Sequence, residues 1–597
     1  MFACRRIGLH HLGKGREWCL LEVWRPLIIL QIINMMNSQD LTFSSPGVAL
    51  DVKDTEDSVG TDSQTPNDEP PRRSRLLKRL SPRLKRLHDR LIEAGLIVSM
   101  ALYYIIGNQH LGAGRFFHLN PLYTLPFLLI FAVLCWYRLS FAVALLPLTL
   151  PYYLLPKTVV GSYAFSMAEI TLIACLVVAL VQLLFLRRTW QYWLSWQELR
   201  DRLGPFVIPI FVFLAAAALS TVIAYNHQLA LRAFRKEMLD PMLYLLLVLY
   251  CLRTRQDLVR LLGALLGTGC VVALLSITQY LFFRHYLVVE AGNVLRVHAA
   301  YGSANDIGLL LDYVLPVGLA MVVAKTSKGG VLQPGLFRAL AIALCLPLLL
   351  VLYLSQSHGA WLAIAAAALF IAALAIRNRK ILIVCTLVFV VIAGFAVLIF
   401  HTRIVDFLLE GHVNAQGIST SMRRLYLWQS AWNMIQGSPW LGYGMDNWLC
   451  HYSNNTLCHT HLFHFIIKND PVTGVPTGLQ DEPLLSHPHN ILLHIWVSMG
   501  LFGLLAFATL LGLFSWLFVR ILAYLRARED EGNLHLQWMT IGVGAAMLAA
   551  FLHGQVDSSF LEQDLAFCFW TLVAALLLLR MLSETPWRGR VQQGTLP

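Results

Sequence analysis

The chain has 597 residues, of which 57% are apolar and only 13% are charged, and its formal net charge is +12. Soluble domains are about 45–50% apolar and about 25% charged. The composition therefore excludes a soluble enzyme, a disordered protein and a secreted disulfide scaffold. It predicts an all-α polytopic membrane protein with enough residues for a large helical bundle. Cytoplasmic loops rich in Lys and Arg explain the positive charge better than a nucleic-acid partner does.

The N-terminal residues precede the first apolar segment. Residues 1–71 predict a disordered cytoplasmic tail, because the stretch from Ser38 to Pro71 is rich in Asp, Ser, Thr and Pro. Residues 72–90 contain nine Lys or Arg with leucines interleaved. That pattern is typical of a basic amphipathic juxtamembrane helix on an anionic membrane surface, and it places the N-terminus in the cytoplasm.

About fourteen apolar segments of membrane-spanning length follow. They form N-terminal helices within 91–204, core helices within 205–400 and C-terminal helices within 491–583, before a cytoplasmic tail at 584–597. Alternate connections carry clusters of Lys and Arg, so both termini are predicted to be cytoplasmic and one large loop, 401–490, extracytoplasmic. The segments lie near 91–108, 121–137, 141–156, 164–186, 205–225, 238–252, 258–282, 306–324, 337–354, 360–376, 381–400, 491–518, 537–553 and 563–583.

Four arginines on the predicted outer side stand on helices. Arg232 and Arg235 share a face at a spacing of three residues. Arg423 and Arg424 occupy the first turn of an amphipathic helix that lies on the membrane, with an apolar stripe formed by Leu425, Trp428, Trp432 and Ile435. Contact with lipid phosphates is the simpler explanation of such cations. The alternative explanation is that these arginines bind one shared anionic ligand, because a guanidinium binds two phosphate oxygens at once.

Polar residues also stand at the outer ends of spans. Arg296 precedes a tight turn at 302–306, and His358 begins a span, where free backbone N–H groups attract anions. His489 and Asn490 lie at the mouth of the span 491–518. A histidine at a membrane boundary titrates near neutrality and can act as a base, although a cap or an incidental histidine explains each position as well. Together these residues predict a membrane-borne diphosphate as ligand rather than a metal ion.

The long loop offers two further features. Cys450 and Cys458 share it, and a disulfide between them is compatible with an oxidising compartment. The cluster from Cys458 to His464 contains three histidines, but its spacing matches no common zinc site. The prediction is therefore that the protein holds no metal and no cofactor.

Several segments resemble the motifs of the O-antigen ligase and polymerase family, integral membrane glycosyltransferases that use polyprenyl-diphosphate-linked glycans. The resemblance covers about residues 205–520 and is most specific in its last two segments. In chain order the segments read LRAFRKEMLDPMLY, R…YGSAND, SQSHGAWLA, RRLYLWQSAWNMIQGSPWLGYGMDNW and HPHNILLHIWVSMGLFGLL.

The resemblance implies a GT-C-like membrane bundle and roles for three positions. Arg424 matches an arginine that contacts the diphosphate, and His489 matches the histidine that activates the acceptor hydroxyl. The family usually has Ser-Arg-Gly where this chain has Ser357-His358-Gly359, so His358 departs from the pattern. Arg235 and Arg296 are candidates for the missing charge.

The implied reaction is transfer of a glycan from an undecaprenyl diphosphate carrier to a hydroxyl at the outer face of a bacterial inner membrane. A lipid A-core acceptor makes the protein an O-antigen ligase in lipopolysaccharide biosynthesis. A second lipid-linked glycan makes it a polymerase of surface polysaccharide or exopolysaccharide. Trp440, Tyr443, Trp448 and Asn490 are the predicted glycan contacts, although aromatic residues also anchor proteins at the membrane interface.

Two other classes of function stay open at this point. A transporter or flippase of an anionic lipid needs polar residues at mid-membrane and often an inverted repeat. Here Asp312 is the main charge within a span, and no convincing repeat appears. A structural or regulatory membrane protein with a decayed site is the third interpretation, because His358 replaces the usual arginine.

Overall fold

The computed structural model describes residues 82–112, 114–160, 163–185, 196–290, 294–324, 333–375, 420–452, 468–469, 476–477, 487–528 and 531–585. The predicted tail 1–71, most of the basic helix 72–90, the span 381–400, the histidine cluster after Cys458 and the C-terminal residues from 586 lie outside the described residues. The domain boundaries derived from the sequence remain predictions.

The described chain is mostly helical. The α-helices are α1 (Pro82–Ile105), α2 (Leu125–Tyr137), α3 (Leu139–Leu145), α4 (Met167–Phe185), α5 (Trp196–Leu203), α6 (Val207–Ile223), α7 (His227–Ala233), α8 (Asp240–Cys251), α9 (Arg255–Phe282), α10 (Ala304–Val323), α11 (Pro334–Ser355), α12 (His358–Ala375), α13 (Thr420–Gly437), α14 (Trp448–Tyr452), α15 (Ile491–Ala527), α16 (Glu531–His553) and α17 (Gln563–Leu582). A π-helix, Phe234–Leu239, connects α7 to α8.

The strands form three antiparallel hairpins of two strands each among the described residues. In β1 (Lys157–Val160) and β2 (Tyr163–Phe165), Lys157 pairs with Phe165. Val288 pairs with Arg296 where β3 (Val288–Glu290) meets β4 (Val294–Arg296). The third hairpin joins β5 (Lys468–Asn469) to β6 (Pro476–Thr477).

Nine helices in the described ranges are long and apolar enough to cross a membrane. They are α4, α6 with the end of α5, α9, α10, α11, α12, α15, α16 and α17. This confirms a multi-pass helical membrane protein, whereas the predicted count of about fourteen spans is not confirmed.

Four other predicted spans are helical in part. The segment 91–108 lies in α1, which carries the charged residues Asp89, Arg90 and Glu93. The segment 238–252 yields α8, which has only 12 residues. The segments 121–137 and 141–156 are joined by a bend of 115°. The chain bends there because Arg138 interrupts the helix between α2 and α3, and prolines then hold Leu146–Tyr152 as a 3₁₀-helix.

The core lies around α10, α16 and α17. In their most apolar windows, 78%, 72% and 83% of the residues are buried, against 28% for both α11 and α12, which face outwards. Small residues allow the helices to approach closely, as is usual inside membranes. A Cβ on Gly269 of α9 would lie 2.6 Å from Val314 of α10, and one on Gly542 of α16 would lie 3.1 Å from the Val317 Cα.

The segment that follows α13 packs against a kink in α15. Gly500 has φ +70° and ψ −173° inside α15, a conformation that only glycine adopts readily. A Cβ there would lie 2.0 Å from the carbonyl oxygen of Trp440. Tyr443 N donates to Val497 O at 2.7 Å, and Leu501 N donates to Pro439 O at 2.9 Å. The kink therefore fixes the 438–447 segment against α15.

Candidate active site

Six helix ends meet where the charge pattern predicts the outer face. These are the starts of α10, α12, α13 and α15 and the ends of α11 and α16. At the opposite end, Arg202 donates to Leu249 O and Arg580 donates to Asp201 O at 3.2 Å. The arginine contacts of connections that the sequence predicts to be cytoplasmic therefore lie at one end of the bundle, and the polar motifs lie at the other.

Asp557, in the connection between α16 and α17, is the centre of this region. Its Oδ1 lies 2.7 Å from His489 Nδ1 and 3.2 Å from His487 Nε2. Ser558 N donates to the same oxygen at 2.9 Å. A carboxylate can only accept hydrogen bonds, so both imidazoles present an N–H to it. Asp557 is 1% exposed, and His487 and His489 contact its carboxylate.

The other carboxylate oxygen faces cations and amides. Arg424 Nη2 lies 3.9 Å from Asp557 Oδ2, and Asn305 Nδ2 donates to Oδ2 at 3.3 Å. We call His487, His489, Asp557, Arg424 and Asn305 the Asp557 cluster. It brings together two residues predicted from the sequence, His489 and Arg424, with three that the sequence reasoning missed.

The start of α15 is tied to the end of α16, and this tie positions His489. Asn490 caps α15, since its Oδ1 accepts from Leu492 N and Leu493 N at 3.0 Å each. Its Nδ2 donates to Gln555 O at 2.9 Å, and Ile491 N donates to Gly554 O at 2.6 Å. Asn490 is thus engaged as a cap rather than turned towards a glycan.

The backbone of His489 is held in an unusual conformation. Its φ is +51°, in the left-handed region that non-glycine residues seldom adopt. Trp428, one turn after Arg424 on α13, donates from Nε1 to His489 O at 3.3 Å. The same helix face therefore holds both Arg424 and the backbone of His489.

The two histidines of the Asp557 cluster stabilise the ionised form of Asp557. Burial by itself raises the pKa of Asp557, but the charge of His489 and the hydrogen bonds from His487 and His489 outweigh it and hold the pKa well below its usual range. Burial lowers the pKa of His487, and the neighbouring His489 lowers it further. At neutral pH the site therefore contains an ionised Asp557 beside a neutral His487.

Arg296 reaches the cluster through Asn305. Its Nη2 donates to Asn305 Oδ1 at 2.6 Å, and its Nε donates to Ser355 O at 2.7 Å. Only 5% of Arg296 is exposed. The side chain links β4, the start of α10 and the end of α11, so it positions Asn305 and has little surface left for a ligand.

Arg235 forms an ion pair with a residue in the first turn of α4. Its Nη2 is 2.7 Å from Glu169 Oε1, and its guanidinium lies 5.1 Å from the centre of the Phe165 ring. Glu169 in turn forms a capping box with Ser166. A sequence pattern cannot reveal this partner, because 66 residues of chain separate Glu169 from Arg235.

Arg232 lies on α7 with its side chain exposed. Burial raises the pKa of Glu237 and of Asp446, while the charges of Arg232 and Lys236 lower both. The loop that carries Asp446 is joined to the start of α7, since Asn447 Oδ1 accepts from Asn226 N at 2.7 Å. The charge of Arg232 therefore acts on two acidic side chains whose pKa is raised on balance by burial.

His358 begins α12 and is exposed. Its ring meets Trp361 edge-on, with 5.0 Å between ring centres. The next residue, Gly359, touches α16, because a Cβ there would lie 2.5 Å from the His553 ring. Arg423 lies outside the described side chains, so its predicted role stays a prediction.

The predicted glycan contacts separate into different environments. Trp440 is 58% exposed and lies beside Phe502. Tyr443 is half-buried, with its ring 4.4 Å from that of His451. Trp448 is 1% exposed and stacks on Tyr452 at 4.9 Å, so it presents no face to a sugar. The ring belongs to a small apolar core, and its role as a glycan contact stays a prediction.

That small core shows a second apolar face on α13, besides the stripe predicted to lie on the membrane. Leu427, Ala431, Met434 and Ile435 are its buried residues on this helix. Leu425 and Trp432 are instead 46% and 48% exposed. Two apolar stripes satisfy the helical period of this segment, and the helix buries the one that meets α15.

Two further outcomes concern cysteine and metal chemistry. Cys450 is disulfide-bonded, as expected for this loop, and its partner lies outside the described residues. His487, His489 and Asp557 offer ligand atoms that all lie within 4.8 Å of one another. Two imidazoles and a carboxylate are ligands that zinc accepts, so these three residues could hold a metal ion.

Residues 343–508 match the family model described as O-antigen ligase. The match includes His358, Arg424 and His489 and ends before Asp557. No curated protein sequence matches the chain. The family match confirms the resemblance seen in the motifs over 166 of the 597 residues.

Proposed function

We propose that this protein transfers a glycan from a polyprenyl diphosphate carrier to an acceptor hydroxyl at the outer face of the inner membrane. The carrier is undecaprenyl diphosphate, and the acceptor is either the lipid A-core or a second lipid-linked glycan. The observation that carries the proposal is that a histidine and an arginine converge on one buried carboxylate, that of Asp557. Such a site combines a base with a cation, which are the two groups that this transfer needs.

His489 is the proposed base. Its Nδ1 carries a proton because it faces the Asp557 carboxylate at 2.7 Å. In the neutral ring Nε2 is then unprotonated and accepts a proton from the acceptor hydroxyl. Asp557 fixes this tautomer and stabilises the imidazolium that forms, as the carboxylate does in a Ser-His-Asp arrangement. The disulfide of Cys450 supports a site on the extracytoplasmic side of the membrane, since disulfides persist in oxidising compartments.

Arg424 is the proposed contact of the diphosphate. Its side chain is 22% exposed, and its distance of 3.9 Å from Asp557 leaves hydrogen-bonding capacity on the guanidinium. A fixed cation in a site of low dielectric constant stabilises the charge that builds on the leaving group. Arg423, Arg232, Arg235 and His358 are proposed as further contacts of the long lipid-linked substrate, and Arg296 positions Asn305.

The proposed chemistry is an in-line displacement that inverts the anomeric carbon. The acceptor oxygen forms a bond to that carbon while the bond from the carbon to the diphosphate oxygen breaks. The hydroxyl proton passes to Nε2 of His489, and the bonding electron pair leaves with polyprenyl diphosphate. Trp440 and Tyr443 are the remaining candidates for stacking on sugar rings at the rim.

Deletion in the native host with plasmid-borne variants tests the proposal. Gels of surface glycans are compared with extracts of polyprenyl-linked intermediates. Accumulated long lipid-linked chains indicate a ligase, and accumulated single repeat units indicate a polymerase. His489→Ala and Arg424→Ala should reproduce the deletion at normal membrane levels, whereas Arg528→Ala, at the opposite end of α15, should not. Unchanged glycan pools in the deletion would contradict glycosyl transfer and favour the transporter or the membrane protein with a decayed site.

A further inference from the structure

The Asp557 cluster contains one imidazole more than the transfer reaction needs. A base and its orienting carboxylate account for His489 and Asp557. His487 points its Nε2 at the same carboxylate oxygen and has no part in the proposed chemistry. We propose that His487, His489 and Asp557 form a binding site for a divalent transition metal of the zinc class, and that the bound metal switches the transferase off. This inference rests on the proposed function of His489.

The spacing of the three ligand atoms fits such an ion. Zinc bonds imidazole nitrogen at about 2.0–2.1 Å, which separates tetrahedral ligands by about 3.3 Å. His489 Nδ1 and His487 Nε2 lie 2.7 and 3.2 Å from Asp557 Oδ1, and all three atoms fall within 4.8 Å. Both N–O distances come within a few tenths of an ångström of about 3.3 Å, and the N–N distance, at most 4.8 Å, would have to close to about the same value.

The surroundings give the site a closed side and an open side. The Asp557 side chain is 2% exposed, and those of His487 and His489 are 13% and 18% exposed. Asn305 and Arg424 contact Oδ2, so Oδ1 is the oxygen left towards the imidazoles. Hydrogen bonds to the non-ligating atoms of a carboxylate are the usual outer support of a metal site. Arg424 also adds a positive charge that weakens metal affinity, which suits a reversible site rather than a permanent one.

Metal binding would remove the base through a change of tautomer. In the metal-free ring the proton lies on Nδ1 and the lone pair of Nε2 is available. A metal ion bonded to Nδ1 takes the lone pair of that atom, and the ring proton moves to Nε2. His487 undergoes the reverse change, from a proton on Nε2 to a proton on Nδ1. No proton is gained or lost by either ring, but Nε2 of His489 can no longer accept one from the acceptor hydroxyl.

Metal binding is tested on the purified full-length chain in detergent after removal of metals with a chelator. Co²⁺ serves as the optical probe because tetrahedral Co²⁺ absorbs visible light, and Zn²⁺ is titrated against it. We expect one Co²⁺ per chain in the wild type, displaced by Zn²⁺. Affinity should fall tenfold or more in His487→Gln and stay unchanged in His118→Gln, a control at a histidine outside the cluster. Equal Co²⁺ affinity in wild type and His487→Gln would overturn the site.

Inhibition is measured separately as transfer activity relative to the metal-free activity of each variant. A zinc concentration that removes most wild-type activity should leave more than half of the activity of His487→Gln. Stimulation by zinc, or equal inhibition of both proteins, would overturn the switch. The Co²⁺ titration needs no turnover, so it separates the two hypotheses. Loss of Co²⁺ binding in His489→Ala with full transfer activity would refute His489 as the base and would leave only the metal site.

Discussion

Replacement of Asp557 by asparagine is the sharpest test of the site. Oδ1 accepts hydrogen bonds from Ser558 N and both histidines, whereas Oδ2 accepts one from Asn305 and lies 3.9 Å from the Arg424 guanidinium. An amide has one acceptor and one donor end, so one of these groups must meet an N–H with its own N–H. If the amide nitrogen faces His489, the ring takes the opposite tautomer and Nε2 becomes protonated. If it faces the other way, Asn305 loses its acceptor, and in either orientation Arg424 loses the negative charge beside it.

Either orientation of the new amide should slow transfer strongly. General-base assistance contributes about 10²–10⁴-fold, and the comparable change in a Ser-His-Asp triad costs about 10⁴-fold. We therefore expect a loss of about 10²–10⁴-fold, equivalent to roughly 3–5 kcal/mol of transition-state stabilisation. The shape of the side chain is kept, so the protein should still fold and insert.

The assay follows transfer of a labelled lipid-linked glycan to acceptor by purified protein in detergent. Asp201→Asn, the same change at the opposite end of the bundle, is the matched control and should retain wild-type activity. The double variant Asp557→Asn with His489→Ala should be no slower than His489→Ala alone, because both changes remove one function. Activity of Asp557→Asn within threefold of wild type, at equal protein, would refute the proposed role of the carboxylate.

Three further predictions follow from single contacts. Arg424→Lys should keep a charge but lose the planar fork, so its transfer rate should lie between those of wild type and Arg424→Ala; a rate equal to that of wild type would contradict a role for the fork. Gly500→Ala should destabilise the fold by about 2 kcal/mol or more, because its φ is +70° and the new Cβ meets Trp440 O at 2.0 Å. Thermal unfolding in detergent measures this, with Gly512→Ala as the control, since nothing lies within 4 Å of a Cβ there; equal melting temperatures would contradict the close approach. The depressed pKa of Asp557 contributes stability that is complete above its unfolded pKa of about 3.9 and is lost as the pH falls through its lower folded pKa. The difference in melting temperature between wild type and Asp557→Asn should therefore shrink as the pH is lowered from about 6 to about 3, and a constant difference would refute the linkage.

The sequence by itself determined the class of the protein and the identity of two central residues. Hydropathy is a local property, so apolar segments can be recognised one at a time, and nine of them are long, apolar helices in the described ranges. His489 and Arg424 were also found from local signals, namely a histidine at the mouth of a span and an arginine in the first turn of an amphipathic helix. The motifs that surround them supported the family independently of the fold.

Local sequence patterns predicted less where a segment fits two structural arrangements equally well. On α13, Leu427, Ala431 and Met434 form a second apolar stripe with the same period as Leu425 and Trp432, and this second stripe is the one buried within the protein. Which stripe is buried depends on the position of α15, which the period cannot reveal. The segment 141–156 likewise does not form one straight span: a bend of 115° at Arg138 separates it from the preceding helix, and its prolines hold Leu146–Tyr152 as a 3₁₀-helix.

Only the tertiary structure decided which residues share a site. Asp557 is 68 residues from His489 along the chain, and no local pattern distinguishes it from other acidic residues at span ends. Packing of α15 against the end of α16 brings the two together, while Arg235 pairs with Glu169 and Trp448 enters the core. The physical reason is that hydropathy and periodicity report the environment of each segment, whereas contacts between segments depend on how the helix ends meet.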